Sequence, residues 1–472
     1  MKKYILIILC CLTSFPLWSY NVNMIVEHYS VDQGLPNNTV NCTLKDRDGF
    51  IWFGTWYGLC CFDGVKFKTF NKQEHDSDVP PRKIQRIVED KNGYIWVKTI
   101  DRKLYVFNKV TECFHAVYDD MKNYSENIQV IKLQNTAEGD VLLLTKDKNL
   151  LLAGVDEKGQ VTIKILFDSR DEINKHDYTL KHHVLCETEE YISWIGTDYK
   201  VSAVHKGAEL ASRPADFITS KINSGDKDSF TSFFEDGRKV WVGDRAGIFY
   251  SIDVRTGLVN RYVLSEIKGA ISNLLVTPAG YVYLSVAGQG TYEYDLAERR
   301  LQKINTEMND AMVTHAFIDQ YDKIWFHENE KALIYYDPLN HTAKRFPFTM
   351  FGKITTLYSE DAGERGLFFL SPAGEAWLFD REHAEMVYIN KLKQLSNDRA
   401  NQQFYHLMLD NDGVLWLSSA DEGVYCMNFP KKQFNLLSLS PQSAGQENYT
   451  IGVRALFQSK SGDIWVGTRW QS

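Results

Sequence analysis

The apolar residues of this chain fall in short clusters of about five, and turn-forming polar residues separate them. Residues 46–64, DRDGFIWFGTWYGLCCFDG, show the pattern most fully. Asp46-Arg47-Asp48-Gly49 is a turn, because its carboxylates can bond their own backbone and the glycine takes a positive φ without a steric penalty. Phe50 to Thr55 is aromatic and β-branched and reads as a strand. A second turn at Trp56-Tyr57-Gly58 leads to Leu59-Cys60-Cys61-Phe62, and a third lies at Asp63-Gly64. Such a meander is marginal alone, since its apolar face has nothing to pack against.

Repetition supplies the neighbours. With Trp52 as the phase mark, equivalent positions fall at Trp96, Leu142, Trp194, Trp241, Tyr283, Trp325, Phe368, Trp416 and Trp465, separated by 44, 46, 52, 47, 42, 42, 43, 48 and 49 residues. Four strands and four connections of about five residues each need about 40 residues, the size of a propeller blade. No sustained 3.6-residue apolar period supports a helical solenoid. The expected fold is all-β, a β-propeller built from ten blade repeats of about 45 residues, with the aromatic after each turn packed between blades. Truncating Trp52 to alanine is expected to cost about 3–5 kcal/mol.

The N-terminus departs from this pattern. Lys2 and Lys3 precede the apolar run Tyr4–Leu12, and Pro16 and Ser19 follow. This is the layout of a cleaved signal peptide over residues 1–20, and the run is too short to span a bilayer. No later segment is long and apolar enough to cross a membrane, so the mature chain is expected to be exported and periplasmic. The formal net charge of −8 provides no basic footprint for nucleic acid. Six cysteines lie beyond the leader: Cys42, Cys60, Cys61, Cys113, Cys186 and Cys426. None has metal-ligand spacing. Cys42 sits two strands from Cys60 and Cys61, beyond disulfide reach, and the vicinal pair points to opposite sheet faces. Buried free thiols are expected.

The stretch Tyr29-Ser30-Val31-Asp32-Gln33-Gly34-Leu35-Pro36-Asn37-Asn38-Thr39-Val40, followed by Ile51-Trp52-Phe53-Gly54-Thr55, Gly58-Leu59 and Phe62-Asp63-Gly64, resembles the opening of the two-component regulator propeller family. Val453–Phe457 with Ser461–Thr468 resembles the same repeat, whereas Leu142, Tyr283 and Phe368 depart from it. The resemblance implies the periplasmic sensor region of a hybrid two-component histidine kinase that controls polysaccharide-utilisation genes. It also implies seven-bladed rings, hence a first propeller over residues 21–350 and three blades of an incomplete second over 351–472. The polar stretch Ser438–Asn448 offers a competing boundary. The family continues into an immunoglobulin-like domain, a membrane helix, a kinase, a receiver and a DNA-binding module. The chain stops at Ser472 within a blade motif, as a truncated reading frame or an excerpt would. Blades eight to ten would then leave open edges near Phe368 and Trp465.

Candidate chemistry is sparse. There is no P-loop, GxGxxG, HExxH or nucleophile elbow, so no catalytic residue, cofactor or metal site is assigned. Asp46–Gly49 and Asp410–Gly413 lack the remaining ligands of a calcium loop and read as structural turns. His182 and His183 are adjacent and would face opposite ways on a strand. Counting strand reversals puts the turns after each second strand on one face of the ring. These carry Trp56 and Tyr57, Arg102, Asp198-Tyr199-Lys200, Asp244-Arg245, Gln289, Asp421-Glu422 and Arg469-Trp470. Aromatics flanked by planar polar groups suit sugar rings. The reading is thus a non-enzymatic carbohydrate-sensing module, able to pair as a homodimer or with an intact homologous sensor. Two rivals are a propeller lyase or glycosidase, which needs convergent catalytic groups in the central funnel, and a protein-interaction scaffold, which needs an apolar face.

Overall fold

The computed structural model describes residues 25–470 apart from 71–79, 122–128, 147–148, 168–179, 188–189, 197–200, 207–229, 305–312, 329–330, 349–357, 362, 364–365, 372–374, 390–403, 429–450 and 460–463. The signal-peptide segment, 1–20, lies outside the described residues. Among those described there are eight four-stranded antiparallel sheets, one of three strands and one of two.

The first repeat shows how the chain builds a blade. It comprises β2 (Val40–Lys45), β3 (Ile51–Thr55), β4 (Gly58–Phe62) and β5 (Phe67–Phe70), and an N-terminal strand, β1 (Ile25–Tyr29), precedes it. The second is β6 (Ile84–Glu89), β7 (Ile95–Thr99), β8 (Leu104–Asn108) and β9 (Cys113–Ala116). β3 and β4 are buried along their whole length because both sheet faces are covered by neighbouring blades. Burial on both faces is why their sequences are continuous apolar runs rather than alternating ones.

In five blades the first turn is tied to its blade by one aspartate. Asp46 Oδ1 accepts the backbone N–H groups of Asp48 and Phe50 at 3.0 and 2.9 Å, and its Oδ2 accepts Trp52 Nε1 at 2.7 Å. Asp90 with Trp96, Asp236 with Trp241, Asp319 with Trp325 and Asp410 with Trp416 repeat the arrangement at 2.7–3.2 Å. In two blades both the indole and the aspartate are replaced. Thr136 precedes Leu142 and Thr277 precedes Tyr283, and both threonines accept a backbone N–H through the hydroxyl. Tyr283 sends its phenol instead to the buried Glu293, at 2.9 Å. In both aspartate-rich turns the first carboxylate, Asp46 or Asp410, is engaged by the backbone of its own turn and by an indole.

Neighbouring blades share hydrophobic clusters. Trp52 packs with Ile87, Ile95 and Phe107 of the second blade, and Trp325 with Leu367, Phe369 and Phe379 of the eighth. Innermost strands carry a recurrent register shift, as between Val40 and Cys42 and between Phe230 and Ser232. This bulge frees Asn41 and Thr231 to donate to the carbonyls of Ile84 and Ile271 in the following blades, both at 2.7 Å.

The chain divides after residue 428 into two units, Met1–Asn428 and Phe429–Ser472. This differs from the expected division at 350. β1 pairs antiparallel with Val424–Asn428 and becomes the outer strand of the ninth sheet. His28 stacks on Tyr425 at 4.4 Å, and its Nε2 lies 2.6 Å from the Glu422 carbonyl. Leu35, Val40 and Phe53 share a core with Trp416 and Val424, so the ninth blade packs on the first. The edge expected to be open at Phe368 is closed, and that side chain is fully buried. In the second unit, Ile451–Gln458 pairs with Ile464–Trp470 and leaves Phe457 and Trp465 exposed.

The thiols follow the expectation. Cys42, Cys60, Cys61 and Cys426 are free and buried, and Cys113 is free and half-buried. Cys60 faces the ninth blade and Cys61 the second, on opposite sides of β4. The side chain of Cys186 lies outside the described residues.

Candidate functional site

The face carrying the turns after each second strand is a hydrogen-bonded rim. In the first turn, Trp56 N–H donates to the Thr39 carbonyl, and the Trp56 carbonyl accepts Lys83 N–H at 2.9 Å. Lys83 O accepts Ile100 N–H, Arg102 O accepts Val130 N–H, and Gln129 O accepts Lys146 N–H. The first two turns are thereby fixed to the connections entering the next blade, and the third to the connection entering its own. Trp56 is 40% exposed and Tyr57 64%, on a backbone held at both ends. The Lys83 ammonium lies 5.1 Å from the Trp56 ring centroid, a cation–π contact that leaves the rest of the indole open. Arg102 has φ of +66° and reaches Gln129 Oε1 at 3.4 Å.

The expected ligand residues divide into three groups. Trp56, Tyr57 and Arg102 occupy consecutive turns of the first two blades. Arg245 is exposed on the fifth. Asp244 is buried, and its Oδ1 accepts the N–H groups of Ala246 and Ile248, so it holds its own turn rather than facing a ligand. Burial also raises its pKa. Asp198, Tyr199 and Lys200 lie outside the described residues. Gln289 is likewise occupied, accepting Lys268 N–H and donating to the Glu266 carbonyl.

The opposite face holds a feature that motif reading does not reveal. A cleft of about 820 Å³ opens between the first and second blades. Trp52, Cys61 and Phe70 lie buried beneath it, and Phe50 and Tyr94 line it nearer the surface. Lys68 and Phe70 alternate along β5 and share its cleft side, and Lys66 lies just before that strand. Lys109 crosses from the second blade to bond Asp46, Asp48 and Glu89 at 3.1, 2.6 and 2.8 Å. Burial opposes the charge on Lys109, but these carboxylates outweigh it and raise its pKa. The three carboxylates form the one acidic cluster with metal-binding spacing among the described residues, and the Lys109 ammonium bonds all three. The Cys61 thiol is pushed up to about 12 by burial and by Asp46 and Asp63, which makes it inert.

Residues 34–57 match the family model described as the two component regulator propeller. The match spans β2, β3 and the turn that follows them. No curated protein matches the chain. Among solved structures, it is similar to two proteins described as extracellular domains of hybrid two component systems from B. thetaiotaomicron. One is 16% identical with a TM-score of 0.32, covering 94% of this chain and 64% of that one. The other is 13% identical with a TM-score of 0.35, covering 93% and 69%. The chain thus spans less than two thirds of the first relative's length. Virginiamycin B lyase from Staphylococcus aureus is 7% identical with a TM-score of 0.33, covering 86% and 99%.

The matched residues have a legible physical logic. Just before them, Ser30 and Gln33 form a capping box, and Gly34 closes the short helix with φ of +108°. Asn38 Oδ1 accepts Val31 N–H, and Asn37 Oδ1 accepts Thr39 N–H. This clip carries the chain from β1, at the outer edge of the ninth sheet, to β2, at the inner edge of the first. The repeat then runs through the Asp46–Trp52 latch and ends on Trp56 and Tyr57 at the rim.

Proposed function

We propose that this chain is the extracytoplasmic ligand-sensing propeller region of a hybrid two-component regulator, that its ligand is an oligosaccharide released by polysaccharide breakdown, and that it performs no catalysis itself. The observation that carries the reading is the two component regulator propeller repeat, whose last residues are the exposed Trp56-Tyr57 pair on a rigid rim. A flat indole beside a phenol and the Arg102 guanidinium offers a stacking surface for the CH face of a sugar with donors at its edge. The mature chain would begin near Tyr20 after export, with its signal passing to further domains of a longer protein.

Titration calorimetry of the chain against neutral oligosaccharides such as xylotetraose, maltotetraose and arabinotetraose tests the rim. Binding should be lost in Trp56→Ala and weakened about tenfold in Arg102→Ala. Binding that is indifferent to both changes refutes the rim as the site. Reducing-end release from the same sugars would contradict the non-enzymatic reading.

A further inference from the structure

We propose that the inner end of the seam between the second and third blades is an oxyanion site, in which Arg86, Lys98 and Arg102 receive a carboxylate or sulfate group. None of the three has a carboxylate partner among the described residues.

Topology brings them to one seam. Lys98 follows Trp96 by two residues on β7 and so shares its side of the sheet, and Trp96 packs with Leu133, Val141 and Leu143 of the third blade. Arg86 is the register partner of Lys98 on β6, an innermost strand, and lies on the same side. Arg102 comes from the turn after β7. Its guanidinium reaches Gln129 and its carbonyl holds Val130, both at the entry to the third blade. Arg86 and Arg102 are exposed, so an anion can approach the group from the inner edge.

Lys98 is the unusual member. It is 5% exposed, and its ammonium donates to the side-chain oxygen of Gln85. Burial and the charge of Arg102 both lower its pKa. Elsewhere the chain supplies acids to little-exposed lysines: Lys45 has Asp410 and Asp412, and Lys206 has Glu138 and Glu187. A buried charge without such a partner is costly, and the fold does not demand this one. Two residues after the phase mark, the first blade has Gly54, the fifth Gly243 and the ninth Ser418. Packing therefore accepts a small neutral residue where the second blade keeps an ammonium.

The charge around Lys98 is one-sided. Asp101, in the same turn as Arg102, accepts the Thr99 hydroxyl and lies 3.4 Å from Lys103 Nζ. With Asp101 set against Lys103, three cations remain on one seam, and they repel one another until an anion joins them. Two forked guanidinium groups beside an ammonium match the geometry of an oxyanion. This inference does not depend on the rim's taking a sugar.

The test uses the full chain with two anionic probes and one neutral one. Sodium sulfate, against sodium chloride at equal ionic strength, should raise the thermal midpoint of wild type more than that of Lys98→Met, a comparison that cancels the general stabilisation by an excluded salt. Tetragalacturonate should bind in calorimetry, weaken as salt rises and lose about fivefold or more in affinity in Lys98→Met and in the exposed variant Arg86→Gln. Xylotetraose should be indifferent to both changes. A response to sulfate assigns a site for free oxyanions, and a response to tetragalacturonate alone assigns an acid carried by a sugar. Trp56→Ala should leave the sulfate response unchanged, so failure of the rim reading does not remove this one. Without ligand, Lys98→Met should raise the midpoint, since it removes an unpaired buried charge. The proposal is overturned if neither anion acts, or if both act equally on wild type and Lys98→Met.

Discussion

The indole nitrogen of Trp52 donates to the Asp46 carboxylate across 2.7 Å, and Lys109 of the next blade bonds the same carboxylate oxygen at 3.1 Å. One acid therefore serves three purposes: it closes the turn, orients the core aromatic and fastens one blade to the next. Elsewhere the third donor changes while its place in the fold stays similar. The Val155 N–H reaches Asp90 at 3.2 Å and Arg381 reaches Asp319 at 2.6 Å, each from the blade that follows.

Breaking this relationship should cost more than one hydrogen bond. Asp46→Ala leaves the indole N–H and two backbone N–H groups without their acceptor and takes one of three carboxylates from Lys109, and about 2–4 kcal/mol of stability should be lost. Trp52→Phe removes only the N–H and some area. A double-mutant cycle of the two, followed by urea unfolding, should give a coupling of about 1–2 kcal/mol. Strict additivity would show that the carboxylate acts through the turn alone.

Gly54 is required for spacing. A Cβ there would sit 2.4 Å from Cys42 Sγ and 2.6 Å from Ile84 Cγ2, in the seam between the first two blades. Gly54→Ala should therefore destabilise by about 1–3 kcal/mol. Adding Cys42→Ala should recover part of that loss. An unfolding midpoint equal to wild type in the single variant would mean that the seam opens freely.

The pairing of β1 can be tested by cross-linking. Glu27 is the register partner of Cys426, and the negative charge of Glu27 contributes to the raised pKa of that thiol, which places both on one side of the sheet. In oxidised Glu27→Cys, a disulfide to Cys426 should form and be visible by peptide mass mapping. Val26→Cys, whose partner is Met427, should form none with Cys426. A seven-bladed ring closing near residue 350 would leave the first variant reduced as well.

His406 gives the fold a pH dependence. Burial, with a smaller contribution from nearby Arg86, lowers its pKa to about 4, and its buried Nδ1 has no hydrogen-bond partner among the described residues. The unfolded chain binds a proton near pH 6.5 and the folded chain only near 4, so stability falls as pH drops through that window. His406→Gln should flatten the slope between pH 6.5 and 4 by an amount of order 1–3 kcal/mol in total. An unchanged slope in urea titrations would remove His406 as the cause.

What the sequence determined by itself is what local chemistry dictates. The spacing of aromatics behind Asp-x-x-Gly turns specifies strands, their order within a blade and the face that each turn occupies. Alternation along β4 is enough to send Cys60 and Cys61 to opposite sides. The tertiary structure decided matters that depend on which strand meets which across hundreds of residues. β1 could have closed the ring against any blade, since its five residues carry no mark of their partner, and the packing of Leu35 and Val40 on Trp416 selects the ninth. Asp244 looked like an exposed turn acid, but the backbone N–H groups of its own turn consume its carboxylate.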